Sequence, residues 1–342
     1  MSNDLLLSTP DVTCSAILPI TILSSGKALP GRKVLSTELD ERLSKPEGWT
    51  QKHSGVAYRY HARIDEHQSA IAAEAVHDAL SRGGIAPESI DLLLSTSGVQ
   101  EQPLPSTASL ILDRLRLRTG TPGFDINASC LGFLVALHVA ANLLNTSAYR
   151  RIAIVASDLA SRGLDWNNPE ASLIFGDGAA AVIVERGDGS RGIESYQLNT
   201  WTEGRKYCEV RGGGTHYNPR TGAQLSDYLF RMDGKRLFRL AASVMKGFLA
   251  ELLGKARRSL SDIDIFVPHQ ASHLGMKHVT ERLRMPTNRV MDIYATHGNQ
   301  VAASIPTALH EALVTGRARS GRRVMLIGTA AGLAVGGMVL AL

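Results

Sequence analysis

A thiol stands in "DINASCLGF" (125–133), where Cys130 separates an apolar strand pattern from an Ala-rich helix pattern. A free cysteine is most often a small, inert hydrophobe. At the first turn of a helix it is different, because unpaired N–H groups and the positive end of the helix dipole favour a nucleophilic thiolate. The other cysteines, Cys14 and Cys208, are distant in sequence, and no C-x-x-C spacing occurs. Neither a zinc site nor a disulfide framework is expected, and sparse thiols fit a reducing cytoplasm.

The elements that must position this thiol emerge when the chain is compared with itself. "PESIDLLLSTSGVQ" (87–100) resembles "LSDIDIFVPHQAS" (260–272). "GFDINASCLGFLVALHVAANLL" (123–144) resembles "VMDIYATHGNQVAASIPTALHEAL" (290–313), and "RRIAIVASDLAS" (150–161) resembles "RRVMLIGTAAGL" (322–333). The last strands, "GAAAVIVE" and "VGGMVLAL", also correspond. Strands and helices recurring in one order, about 170 residues apart, imply a duplicated α/β unit. Continuous apolar strands such as "RIAIVAS" suit sheets buried on both faces. Helices rich in Ala, Gly and Ser carry little bulk and suit a layer between two sheets. The fold class is therefore α/β, with one helix layer sandwiched between sheets. A pseudo-twofold relation would bring Cys130, Asn299 (at almost the same point of the second unit) and His269 (where the first unit has Thr96 or Ser97) to one centre.

Composition narrows the class further. The 342 residues are 44% hydrophobic and 20% charged, as in ordinary globular proteins. "AILPITILSSG" reads as a strand, and the apolar C-terminal run is broken by glycines, so no membrane span is expected. A net charge of +5 is compatible with a solvated surface or with a basic patch for an acidic partner. Nucleic acid is not expected, since no recognition motif occurs.

At "DINASCLGF", "FGDGAAAVIV" (175–184), "VPHQAS" (267–272) and "HGNQVAASIPTAL" (297–309) the chain resembles the thiolase superfamily, specifically the β-ketoacyl-acyl-carrier-protein synthase III group. "QPLPSTASLI" (102–111) is a weaker fifth piece. The resemblance implies a thiolase fold, an αβαβα layered sandwich. It implies a first half over 1–185 carrying the nucleophile and a second over 231–342 carrying His269 and Asn299. The region 186–230, which departs most from the family's length, is expected to cap the entrance. It also implies that Cys130 takes an acyl group from a thioester. His269 and Asn299 would donate to one carbonyl oxygen, which becomes an enolate when malonyl loses CO₂. The N–H groups of Cys130 and Ala331 would form an oxyanion hole, and the helix start and histidine would lower the thiol pKa. His297 is read as a structural turn residue, and Gly176 and Gly178 as tight-turn glycines.

Further expectations follow from the resemblance. Coenzyme A contacts fall to Trp49 and Lys235, although His53 stands where the family has arginine. Leu104 projects into a neighbouring subunit's acyl pocket, so a homodimer is expected. Arg236, Arg239 and Arg282 would meet acyl carrier protein. No metal and no cofactor beyond acyl-CoA or carrier thioesters is implied. "HQASHL" and "TAAGL" depart from the housekeeping pattern and suggest secondary metabolism. The rivals are non-decarboxylative acyl transfer to an oxygen or nitrogen nucleophile, head-to-head acyl condensation, and a silent subunit of a heterodimer.

Overall fold

The computed structural model describes residues 17–282 and 284–342, leaving aside the side chains of Val279 and Arg282. The expectation for Arg282 as a carrier contact therefore lies outside the described residues. The strands of the two main sheets are β1 (Leu18–Pro19), β2 (Thr21–Ala28), β3 (Leu92–Thr96), β4 (Gly123–Ile126), β5 (Arg151–Asp158), β6 (Gly178–Glu185), β7 (Gly192–Thr200), β8 (Ile265–Pro268), β9 (Arg323–Ala330) and β10 (Ala334–Ala341). The first sheet runs β2-β6-β5-β3-β4 and the second β1-β7-β10-β9-β8.

The duplication is spatial as well as sequential. In the first sheet β3 lies parallel to β4 and β5, and β6 is antiparallel to β5 and β2. In the second, β8 lies parallel to β9, and β10 is antiparallel to β9 and β7. The counterpart of β4 is reduced to a parallel bridge between Phe266 and Val290.

Two expectations change. The single strand read in "AILPITILSSG" is two, and they join different sheets. Pro19 has no N–H to continue a ladder, so the chain crosses between sheets there. The cap expected over 186–230 contains β7, which pairs with β10 inside the second sheet. β7 is thus a strand of the second sheet. Buried polar residues disguised this strand; Glu194 is buried because Arg258 and Arg323 ion-pair with it at 2.8 and 3.0 Å.

The layering follows from side-chain size. Helices α1 (Gln68–Gly83) and α2 (Thr107–Arg114) cover the outer face of the first sheet through Val76 and Ile111. Helix α3 (Gly132–Asn145) lies between the sheets, and α4 (Gly234–Ala256) covers the second through Phe248 and Leu252. Helix α5 (His273–Arg282) follows β8, and α6 (Ser304–Val314) joins α3 in the middle layer. Leu134 and Leu137 of α3 and Ile305 and Leu309 of α6 share one core with strands of both sheets. Each such buried side chain contributes about 1.5–3 kcal/mol. Among the described residues no helix is long and apolar enough to cross a membrane.

Candidate active site

Two matching elbows form the floor of the site. After β4, Asn127 Oδ1 accepts the Ser129 N–H at 2.9 Å, Ser129 turns to φ 51°, and a 3₁₀ turn over Ser129–Leu131 feeds α3. In the second half, Asn299 Oδ1 accepts the Val301 N–H at 2.8 Å, Val301 turns to φ 53°, and a 3₁₀ turn over Val301–Ala303 feeds α6. Ala302 is thus the counterpart of Cys130, and Asn127 that of Asn299. Asn299 stands three residues before the thiol's equivalent, a correction to the placement expected from sequence. Cys130 sits in the turn that precedes the helix rather than in its first turn.

Tight packing sets the other groups. His269 leaves the end of β8, and its N–H donates to Ile327 O at 2.7 Å. A Cβ on Gly328 would lie 2.6 Å from the His269 Cβ, so glycine is required beneath the imidazole. Asn299 is strapped to "IFGDG" by backbone: its N–H donates to Ile174 O at 2.7 Å, and Gly176 N–H donates to its O at 3.1 Å. Gly176 and Gly178 are close-approach glycines, not turn glycines. A Cβ on them would lie 2.1 Å from His297 O and 2.2 Å from Gln300 Nε2. His297 is buried beside Thr296 and off the cavity, as a structural residue.

Cys130, His269, Asn299 and Ala331 line one cavity of about 1440 Å³. Cys208 and Val210 line it from the segment read as a cap. Five other expected residues do not. Trp49 packs with Val34 and Leu39 and stacks on His53, with ring centroids 4.1 Å apart. Lys235, Arg236 and Arg239 face solvent on α4, and Leu104 is 84% exposed. The stacking of Trp49 on its own i+4 neighbour could not be read from residue types.

The electrostatics reverse one expectation. Burial pushes the Cys130 thiol up to about 12, and the neighbouring Asp158 adds to the shift. Ser129 Oγ–H and the N–H groups of Cys130 and Ala331 favour the sulfur anion but only in part offset this. Burial also holds His269 down to about 4, and its Nδ1 has no hydrogen-bond partner. The resting pair is a neutral thiol and a neutral imidazole. Sequence reasoning missed Asp158, which lines the same cavity. An acid at the tip of the apolar strand "RIAIVASD", where the second unit has "GTA", was the available signal.

Comparison with known proteins decides the family. Two family models match, "3-Oxoacyl-[acyl-carrier-protein (ACP)] synthase III" over residues 124–202 and its C-terminal counterpart over 253–342. A β-ketoacyl-[acyl-carrier-protein] synthase III of Syntrophomonas wolfei is 31% identical, over 94% of this chain and 97% of the relative. The chain belongs to the β-ketoacyl-[acyl-carrier-protein] synthase III family. The synthase III of Erythrobacter litoralis is 35% identical, over 89% of this chain and 93% of its own. Among solved synthase III structures, those of Aquifex aeolicus and Thermus thermophilus superpose with TM-scores of 0.85 at 27% and 30% identity. They cover 94% of this chain each, and 100% and 98% of their own. The αβαβα layering seen here is thus the family's thiolase fold, and the chain is an acyltransferase of that family.

The thiol's environment makes a pH prediction. A thiol held at about 12 gains thiolate as pH rises well beyond an ordinary cysteine, since burial disfavours the charged form. Alkylation of Cys130 by iodoacetamide, read by peptide mass spectrometry, is expected to keep accelerating through pH 10. A plateau near pH 7 would show a preformed thiolate instead.

Proposed function

We propose that the protein loads an acyl group on Cys130 from an acyl thioester and condenses it with a malonyl thioester, releasing CO₂ and a β-ketoacyl thioester. The observation that carries this reading is the orientation of Asn299. Its Oδ1 is held by Val301 N–H, and its Nδ2 donates to Ala271 O at 3.3 Å, leaving the second amide hydrogen for a ligand. Simple transfer needs a nucleophile and a base; a fixed second donor suits an enolate.

In the loading step neutral His269 takes the thiol proton as sulfur attacks the thioester carbon. The tetrahedral oxyanion meets the N–H groups of Cys130 and Ala331, and the departing thiol takes the proton from His269. In the second step the malonyl carboxylate leaves as CO₂. The resulting enolate oxygen is held by His269 and Asn299, and its carbon attacks the acyl carbonyl, expelling the Cys130 thiolate. Decarboxylation drives carbon–carbon bond formation, so the scheme uses no metal and no redox cofactor.

We further assign a long-chain donor, because the cavity exceeds the roughly 300–1,000 Å³ that suffices for a drug-sized ligand. Leu237, Ala241, Met245 and Leu249 line it at four-residue spacing along α4, which supports an alkyl chain lying there. The Trp49–His53 stack leaves no slot between the two rings and favours carrier protein over coenzyme A as the thioester carrier; exposed Lys235, Arg236 and Arg239 suit its acidic surface. A cytoplasmic homodimer is part of this reading. It is supported by the edge strand β4, whose Phe124 is 41% exposed, and by Leu104. The departures at His53 and Ser272 favour a role in secondary metabolism.

Three measurements test the reading. Light scattering at micromolar concentration is expected to give the dimer mass, and a monomer would remove that assignment. Ala241→Phe is expected to abolish loading of a twelve-carbon acyl group, read as intact-protein mass, while a four-carbon group still loads. An unchanged preference would move the alkyl chain elsewhere. Trapped ¹⁴CO₂ from labelled malonyl donors is expected with wild type, faster from malonyl carrier protein than from malonyl-CoA. Asn299→Ala is expected to load normally but release CO₂ roughly a hundredfold more slowly, about 3 kcal/mol for one lost donor. No CO₂ from wild type, with normal loading, would establish simple acyl transfer; no loading at all would establish a silent subunit.

A further inference from the structure

The second elbow has the parts of the first except its nucleophile. Each elbow has an asparagine whose Oδ1 takes the N–H two residues on, a non-glycine residue at positive φ, and a 3₁₀ turn opening a middle-layer helix. Each also meets the tip of a strand from the opposite half. At the first elbow that tip is the end of β9, and Ala331 N–H points at the Cys130 sulfur. At the second it is the end of β5, and Asp158 Oδ2 accepts the Ala302 N–H at 3.0 Å. The backbone donor that would serve an oxyanion at Cys130 is, at Ala302, permanently occupied by a carboxylate.

The same carboxylate reaches further. Asp158 is 2% exposed. Its Oδ1 accepts Gly98 N–H at 2.9 Å and Val99 N–H at 3.1 Å. The loop it grips touches the elbow directly, since a Cβ on Gly98 would lie 2.4 Å from Val301 Cγ1. Hydrogen bonds from backbone N–H to a buried carboxylate are about twice as strong as neutral ones. Val301 N–H in turn fixes the amide of Asn299.

We propose that Asp158 is a positioning residue for the malonyl half-reaction: its carboxylate fills the anion cradle of the silent second elbow and so fixes the turn that aims Asn299. Its charge also raises the pKa of the neighbouring Cys130 thiol from the wall of the same cavity, but its effect on the malonyl half-reaction runs through the elbow. The inference rests on the condensation reading above and has its own test.

That test is a double-mutant cycle at pH 8.5, where the Asp158 carboxyl, which burial pushes up to about 7, is ionised. In Asp158→Asn one carboxylate oxygen becomes a donor facing an N–H, so the elbow loosens. CO₂ release from malonyl carrier protein, counted per acylated Cys130, is expected to fall roughly tenfold, the scale of a sub-ångström misplacement. The first-turnover rate of Cys130 acylation is expected to fall by no more than about threefold, because the first elbow is intact and loss of the Asp158 charge favours the thiolate. Asp158→Asn combined with Asn299→Ala is expected to be no slower than Asn299→Ala alone, since a group that acts on this step only through Asn299 has nothing left to aim. Equal losses in both half-reactions, or costs that add in the double variant, would overturn the proposal by making Asp158 a general support of the fold. A variant with no acylatable Cys130 would overturn it for the same reason. A wild type that releases no CO₂ removes the condensation reading itself, an outcome distinct from wild-type release with unchanged Asp158→Asn.

Discussion

Backbone meets backbone where Ile174–Gly176 runs beside Asn299, and no side chain fits between them. The first half of the chain holds Cys130; the second holds His269 and Asn299. The glycines at 176 and 178 let the second elbow come close enough for Gly176 N–H and Asn299 N–H to find carbonyl partners across the seam. A methyl group at Gly176 would need the space of His297 O, and the elbow carrying Asn299 would have to move with it. Other features of the site lie on one or the other side of this contact.

The middle layer gives that seam its rigidity. Helices α3 and α6 are buried along most of their length, Asn142 and Val314 being exposed, and are rich in Ala and Leu. The 3₁₀ turns that precede them open onto the cavity at Cys130 and Val301, and their bodies fill the space between the sheets. A residue at positive φ costs about 1–2 kcal/mol when it is not glycine, and both elbows bear this cost, at Ser129 and at Val301. The strain is offset by the asparagine bond within each elbow and, at the second, by the carboxylate of Asp158.

Burial sets the chemistry of the site as well as its shape. A low-dielectric chamber disfavours the thiolate of Cys130 and the imidazolium of His269 together, so the two groups rest neutral. A proton then moves between them only when a thioester carbonyl arrives to take the developing charge.

How much of this was legible in the residues depends on the range of the cause. The repeat was readable because strand order and hydrophobic period are local, and from it came the two-sheet architecture and the meeting of Cys130, His269 and Asn299. β7 was not readable, because Glu194 and Gln197 look exposed until Arg258 and Arg323 pair with the first and Glu251 and Lys255 with the second, from distant segments. The register of the elbows was not readable either. Cys130 and Asn299 look equivalent in sequence, yet dihedral angles at Ser129 and Val301 pair the thiol with Ala302. Residue types alone determined the layered α/β fold, and the motifs around Cys130 marked it as the candidate nucleophile through the family resemblance. Tertiary structure decided the thiol's protonation, the partner of Trp49 and the place of Asp158, since each depends on what burial and the opposite half of the chain bring within a few ångströms.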